Sequence, residues 1–200
     1  MHGRYPPELF TLLEQHQVEW DYTADELALI AENTVDELGI NLYYPHRVKA
    51  PSRAWHPDTP FHPAYYYEPF ELPGRRMNTS RGWEISPRII YDMAMRIKND
   101  YRNIDWFVAE SGMGVENEAQ FRNRDGVIDD SYRIDSISEH PYYTLLAREA
   151  GANCHGYMLW AFPDTVSPLN AFQTRNGLIE IDLATNRARP AKKPTAWSRQ

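Results

Sequence analysis

The chain has 200 residues, 42% of them hydrophobic and 13% aromatic, with a formal net charge of −7 and a single cysteine. That balance excludes a disordered tail, a disulfide-stapled scaffold and a basic nucleic-acid binder, whose positive field an acidic chain lacks. No apolar run approaches the roughly 18 residues of a membrane span, and MHGRYPPELF has neither the charged nor the apolar region of a signal peptide, so a cytoplasmic location without membrane or nucleic-acid partners is expected.

Thr23-Ala-Asp-Glu26 has the form of a capping box, and Leu27, Ile30, Val35 and Leu38 roughly keep one face, which predicts a helix from about residue 24 to near Gly39. Ile40-Asn41-Leu42-Tyr43-Tyr44 then reads as a short strand of branched and aromatic residues. From Pro45 to about Gly82 the sequence is dense in Pro, His, Tyr and Arg without periodicity, including Pro57, Pro60, Pro63, Pro69 and Pro73. Ordered loops of that length usually serve function. Ser86-Pro87 opens a helix that Ile90, Met93, Ile97 and Tyr101 continue. Ile104 to Ala109 forms a second strand, closing on Glu110-Ser-Gly-Met-Gly114. A polar loop over 115–130 leads into a helix carrying Ile134, Ile137, Leu145 and Leu146, where Pro141 is expected to cause a kink or a break. Cys154 to Phe162 is the third strand, its lone cysteine fitting a reducing compartment or a small buried side chain. The alternation is that of an α/β protein, with apolar parallel strands covered on both faces.

In a parallel α/β architecture the loops after the strand C-termini build the site, so Tyr43, Glu110 and Trp160 are placed on one face, although Glu110 taken alone also fits an ordinary solvated strand-end carboxylate. A Tyr hydroxyl beside a carboxylate can hold it ionised and oriented, although Tyr43 fits a core aromatic equally well. Trp160 suits either a packed core indole or a flat platform for the C–H face of a sugar. No metal or cofactor is expected. His56 and His62 have no third ligand at a metalloenzyme spacing, Gly112-Met-Gly114 lacks the third glycine of a dinucleotide fingerprint, and Ser111 lacks the preceding glycine of a nucleophile elbow. The basic run from Asn186 to Lys193 reads as solvated surface.

The stretches LGINLYY at 38–44, GWEISP at 82–87, WFVAESGMG at 106–114, HGYMLWAFPD at 155–164 and NGLIEIDL at 176–183 together resemble glycoside hydrolase family 1, in family order and spacing. The resemblance implies the C-terminal part, strands six to eight, of a (β/α)8 barrel, and retaining chemistry on β-glucosides or 6-phospho-β-glucosides. It makes Glu110 the nucleophile at the end of barrel strand seven, with Ser111 in place of the usual Asn. It places Asn41 and Tyr43 in the Asn-Tyr-Tyr motif of strand six, Trp83 on the aglycone side, and Trp160 under the glycone. Where neutral-sugar members carry a Glu that grips glycone hydroxyls, this chain has Ser167, followed by Pro168. Phospho-specific members follow this Ser with a Lys and a Tyr at the positions held here by Thr174 and Asn176, so Arg175 between them becomes the candidate cation.

A retaining glycosidase needs a second carboxyl group about 5–5.5 Å from the first. In the family it lies in an Asn-Glu-Pro type motif on strand four, and Asn117-Glu118 follows strand seven and reads as a decoy. Residues 1–200 are therefore expected to form a single partial domain, nearly inert alone. An N-terminal half chain or self-association is the expected cover for its strand edge. The alternative is a non-catalytic remnant or carbohydrate-binding fragment of a truncated gene, favoured by the departures at Pro141, Pro168, Thr174 and Asn176.

Overall fold

The computed structural model describes residues 2–53, 56, 59–185 and 191–193, so Pro57 and most of the basic run lie outside the described residues. The described residues fall into two units, those within Met1–Asp36 and His46–Gly74, and those within Glu37–Pro45 and Arg75–Gln200. In the first, α1 (Pro7–Gln15) starts on a proline, whose missing N–H is no loss at a helix start. Helix α2 (Ala24–Glu32) carries the capping box foreseen from sequence: the Glu26 N–H donates to Thr23 Oγ1 at 3.2 Å and the Thr23 N–H to Glu26 Oε2 at 2.8 Å. It ends well short of Gly39, because Asn33, Thr34, Val35 and Asp36 are weak helix formers and Leu38 is drawn into a strand. The indole of Trp20 stacks on Phe10 at 5.4 Å and meets Tyr5 edge-on at 4.8 Å. Within the proline-rich segment, Val48–Lys49 pairs antiparallel with Glu68–Pro69.

The second unit is framed by three parallel strands, β1 (Glu37–Asn41), β2 (Asp105–Ser111) and β3 (Cys154–Leu159), in that spatial order. Helix α3 (Ile89–Asp100) precedes β2, and α4 (Ser131–Glu149) connects β2 to β3. Ile90, Ala94 and Ile97 of α3 and Ala147 of α4 pack on Leu42, Trp106, Val108 and Cys154. Burial raises the Cys154 thiol pKa, as befits an inert core cysteine. Among the described residues the two sheet faces differ in cover: Trp106 and Val108 are fully buried, whereas Met158 is 55% exposed. Across the three strands Gly39, Phe107 and Gly156 share a row. A Cβ at either glycine would lie 3.0 Å from Phe107, so the aromatic ring occupies the space that side chains there would need.

Two strand ends differ from expectation. Strand β1 stops at Asn41, where its register against β2 shifts, and β3 stops at Leu159, leaving Tyr43 and Trp160 beyond the ladder. Helix α4 runs through Pro141 as one element, correcting the expected break into two shorter helices. Arg133, Ser136, Ile137, His140, Thr144 and Ala147 form one buried stripe on both sides of the proline, and that packing outweighs one lost backbone hydrogen bond. Among the described residues no helix is long and apolar enough to cross a membrane.

Candidate active site

The chain continuing from the C-terminal ends of β1, β2 and β3 surrounds a cleft of about 190 Å³ lined by Tyr43, Arg81, Trp83, Glu110, Trp160, Ser167 and Asn176, among others. Glu110 arrives on β2 opposite Asn41, and the Leu42 N–H donates to its carbonyl at 2.8 Å, which fixes the chain just before Tyr43. The Tyr43 hydroxyl donates to Glu110 Oε2 at 2.8 Å. Burial, then the carboxylate beside it, pushes the Tyr43 phenol far above its ordinary range, so it stays a donor at every relevant pH. A permanently protonated donor orients one carboxylate oxygen and leaves the other for chemistry.

Glycine is required where β2 hands over to the cleft. A Cβ on Gly112 would lie 2.0 Å from the Trp160 carbonyl oxygen, and one on Gly114 would lie 2.5 Å from Asn176 Oδ1. The Trp160 N–H in turn donates to the Ser111 carbonyl at 2.8 Å, so the indole is indexed to the residue after Glu110. Trp160 is 38% exposed. Trp83 stacks on Tyr44 at 4.7 Å and meets Tyr43 at 5.4 Å. Ser167 accepts from the Leu169 N–H at 3.3 Å, which leaves its own proton free to donate.

Three residues singled out in the sequence stand outside this cleft. Asn41 is exposed at the end of β1. Thr174 is fully buried, accepting from Asn170 Nδ2 at 2.7 Å. Arg175 lines a separate cavity of about 310 Å³ and donates to Asp164 Oδ2 at 3.2 Å and to the Ile181 carbonyl at 3.1 Å. Among the described residues no group of three His, Cys, Asp or Glu side chains is placed to hold a metal ion.

Sequence reasoning missed two features. One is Arg81, whose guanidinium lies 4.4 Å from the Trp83 ring centre inside the cleft; no pattern in a single sequence marks it. The other is a buried ionic cluster behind the loops. Arg133, with no exposed surface, pairs with Asp130 and Glu118, and donates to the carbonyls of Met113 at 2.9 Å, Arg175 at 3.0 Å and Gly177 at 3.2 Å. Lys192 joins it, 2.6 Å from Glu118 and 2.9 Å from Asp164, so this member of the basic run is buried rather than solvated. Glu118, the decoy carboxylate, is thereby committed to two cations. The acid and base at Asp130 and Arg133, one helical turn apart, were visible in sequence; their burial was not.

The sequence model for Glycosyl hydrolase family 1 matches residues 1–200. A 6-phospho-beta-glucosidase of Bacillus subtilis is 42% identical over 99% of this chain, and a 6-phospho-beta-galactosidase of Clostridium acetobutylicum is 35% identical over 84% of it. The aligned regions span 43% and 36% of those relatives, so the chain corresponds to less than half their length. A beta-glucosidase structure from Thermotoga maritima superposes with a TM-score of 0.78 at 24% identity, over 98% of this chain and 40% of that one. That likeness makes the fold part of a (β/α)8 barrel. The family's sequence model covers the whole chain, and the chain belongs to glycosyl hydrolase family 1.

Proposed function

We propose that these 200 residues carry the nucleophile side of a retaining β-glycosidase, and that its substrates are 6-phospho-β-glucosides ahead of neutral β-glucosides. The single observation that supports this most is the 2.8 Å contact from the Tyr43 hydroxyl to Glu110, set in a cleft with Trp160 and Trp83. A Glu110 oxygen attacks the anomeric carbon as the bond to the leaving oxygen breaks, and a second carboxyl group from outside these residues gives that oxygen its proton. The resulting glycosyl ester is then opened by water, deprotonated by the same second group, with net retention. Residues 1–200 act in this reading as one part of a barrel completed by its first five strands. The phosphorylated glycone is supported by Ser167, whose free proton can serve a phosphate where a Glu would repel it. The names of the two relatives above point the same way.

The test joins this chain to the N-terminal barrel half of the Bacillus subtilis relative and compares kcat/KM for 4-nitrophenyl 6-phospho-β-glucoside with that for the unphosphorylated glucoside. The expected result is a preference for the phosphorylated substrate that falls at least about tenfold in Ser167→Glu, where like charges meet. Preference for the neutral sugar, or a ratio that ignores the new carboxylate, overturns the substrate assignment. Absence of any turnover by the completed protein overturns the catalytic one and favours the non-catalytic remnant.

In the same protein, Tyr43→Phe is expected to lower kcat about 10- to 100-fold with the fold intact, since a hydrogen bond to a charged group is worth roughly 1.5–3 kcal/mol. A change below threefold would show that Tyr43 does not orient the nucleophile.

A further inference from the structure

The double displacement proposed above gives Arg81 no task, yet Arg81 is the one cation among the described residues that line the cleft. It is half-buried, its guanidinium lies over the Trp83 ring at 4.4 Å, and that ring is itself stacked on Tyr44. No carboxylate among the described residues forms an ion pair with it. Its charge nevertheless reaches the reaction centre: Arg81 draws the Tyr43 phenol down, opposing the larger upward effects of burial and Glu110. A guanidinium laid on an indole keeps its edge donors free, and those donors form the planar fork that matches an oxyanion.

The other cations close to the neighbouring loops are already engaged. Arg175 is held by Asp164 and the Ile181 carbonyl, Lys192 by Glu118 and Asp164, and Arg133 by Asp130 and Glu118. An anionic substrate entering this cleft meets the carboxylate of Glu110, and among the described lining residues Arg81 alone carries a charge that offsets that repulsion.

We propose that Arg81 is a specificity-determining residue that binds an oxyanion of the substrate, a phosphate or carboxylate, in the cleft it lines together with Glu110. This rests on the reading of that cleft as a glycoside site. The shared chemistry has two sources, a phosphate on the glycone or an anionic group on the aglycone beside Trp83.

Binding, measured apart from catalysis, tests it. In the completed protein carrying Glu110→Gln, calorimetry would give Kd for phenyl β-glucoside, its 6-phosphate, and 4-carboxyphenyl β-glucoside, with Arg81 intact and as Arg81→Gln. The expected result is a rise in Kd of about tenfold or more for one anionic ligand, with less than threefold change for the neutral one, and partial recovery in Arg81→Lys. Loss confined to the 6-phosphate assigns the glycone; loss confined to the carboxyphenyl ligand assigns the aglycone. Equal changes for all three ligands, no change in any, or no measurable binding of either anionic ligand with Arg81 intact overturns the proposal. Failure of the glycosidase reading is seen separately, as absent turnover with Glu110 in place.

Discussion

Replacing Glu110, the proposed nucleophile, with Gln in the completed protein is expected to lower kcat for an aryl β-glucoside by about 10⁴-fold or more, the scale on which removing a covalent nucleophile acts. The amide keeps the shape and can still accept from Tyr43, 2.8 Å away in the native chain, so the fold and substrate binding should survive while the attacking electron pair is lost. A second variant separates nucleophile from scaffold. In Glu110→Gly, azide is expected to take the vacated position, attack the anomeric carbon of an activated β-glucoside as the phenolate departs, and yield the inverted α-glycosyl azide. Rescue with retention, or residual activity in Glu110→Gln within tenfold of the parent, would place the nucleophile elsewhere.

Arg133→Met is expected to destabilise the protein by about 3–5 kcal/mol, because removing one partner of a buried ion pair leaves uncompensated charge behind. Here the loss strands Asp130, takes one of two cations from Glu118, and frees the carbonyls of Met113, Arg175 and Gly177. In the completed protein this shows as a clear fall in the melting temperature. The pH dependence has a definite sign. Burial already raises the Asp130 pKa and Arg133 opposes that rise, so without Arg133 it climbs further. A carboxyl whose folded pKa exceeds its unfolded value costs stability as pH rises through that window. The deficit of Arg133→Met against the parent should therefore be larger at pH 8 than at pH 4. A loss below about 1 kcal/mol, or a deficit independent of pH, would mean the cluster relaxes or admits water. Because the three carbonyls belong to the loops that follow β2 and β3, kcat should fall with stability, and Arg133→Lys should recover little of either. One ammonium cannot reproduce a five-donor fork.

The alternation of elements, the helix start at Thr23 and the convergence of strand ends on one face are readable from residue order alone, since capping chemistry, apolar periodicity and parallel topology are local or nearly local properties. Glu110, Tyr43 and Trp160 were legible as candidates for the same reason: each stands where an apolar run gives way to glycine, proline or aromatic residues. Tertiary packing decided the rest. The buried stripe of α4 outweighed the local penalty of Pro141, and β1 drew Leu38 away from α2. A cation's surroundings depend on chain segments distant in sequence. That is why Lys192, read as solvated, lies beside Glu118 and Asp164, and why Arg175, read as a substrate contact, is tied to Asp164. For the same reason Arg81, which no spacing marks, is the one cation among the described residues that line the cleft with Glu110. Charge type is written in the sequence, but which charges meet water, which meet each other and which meet a ligand is set by three-dimensional burial.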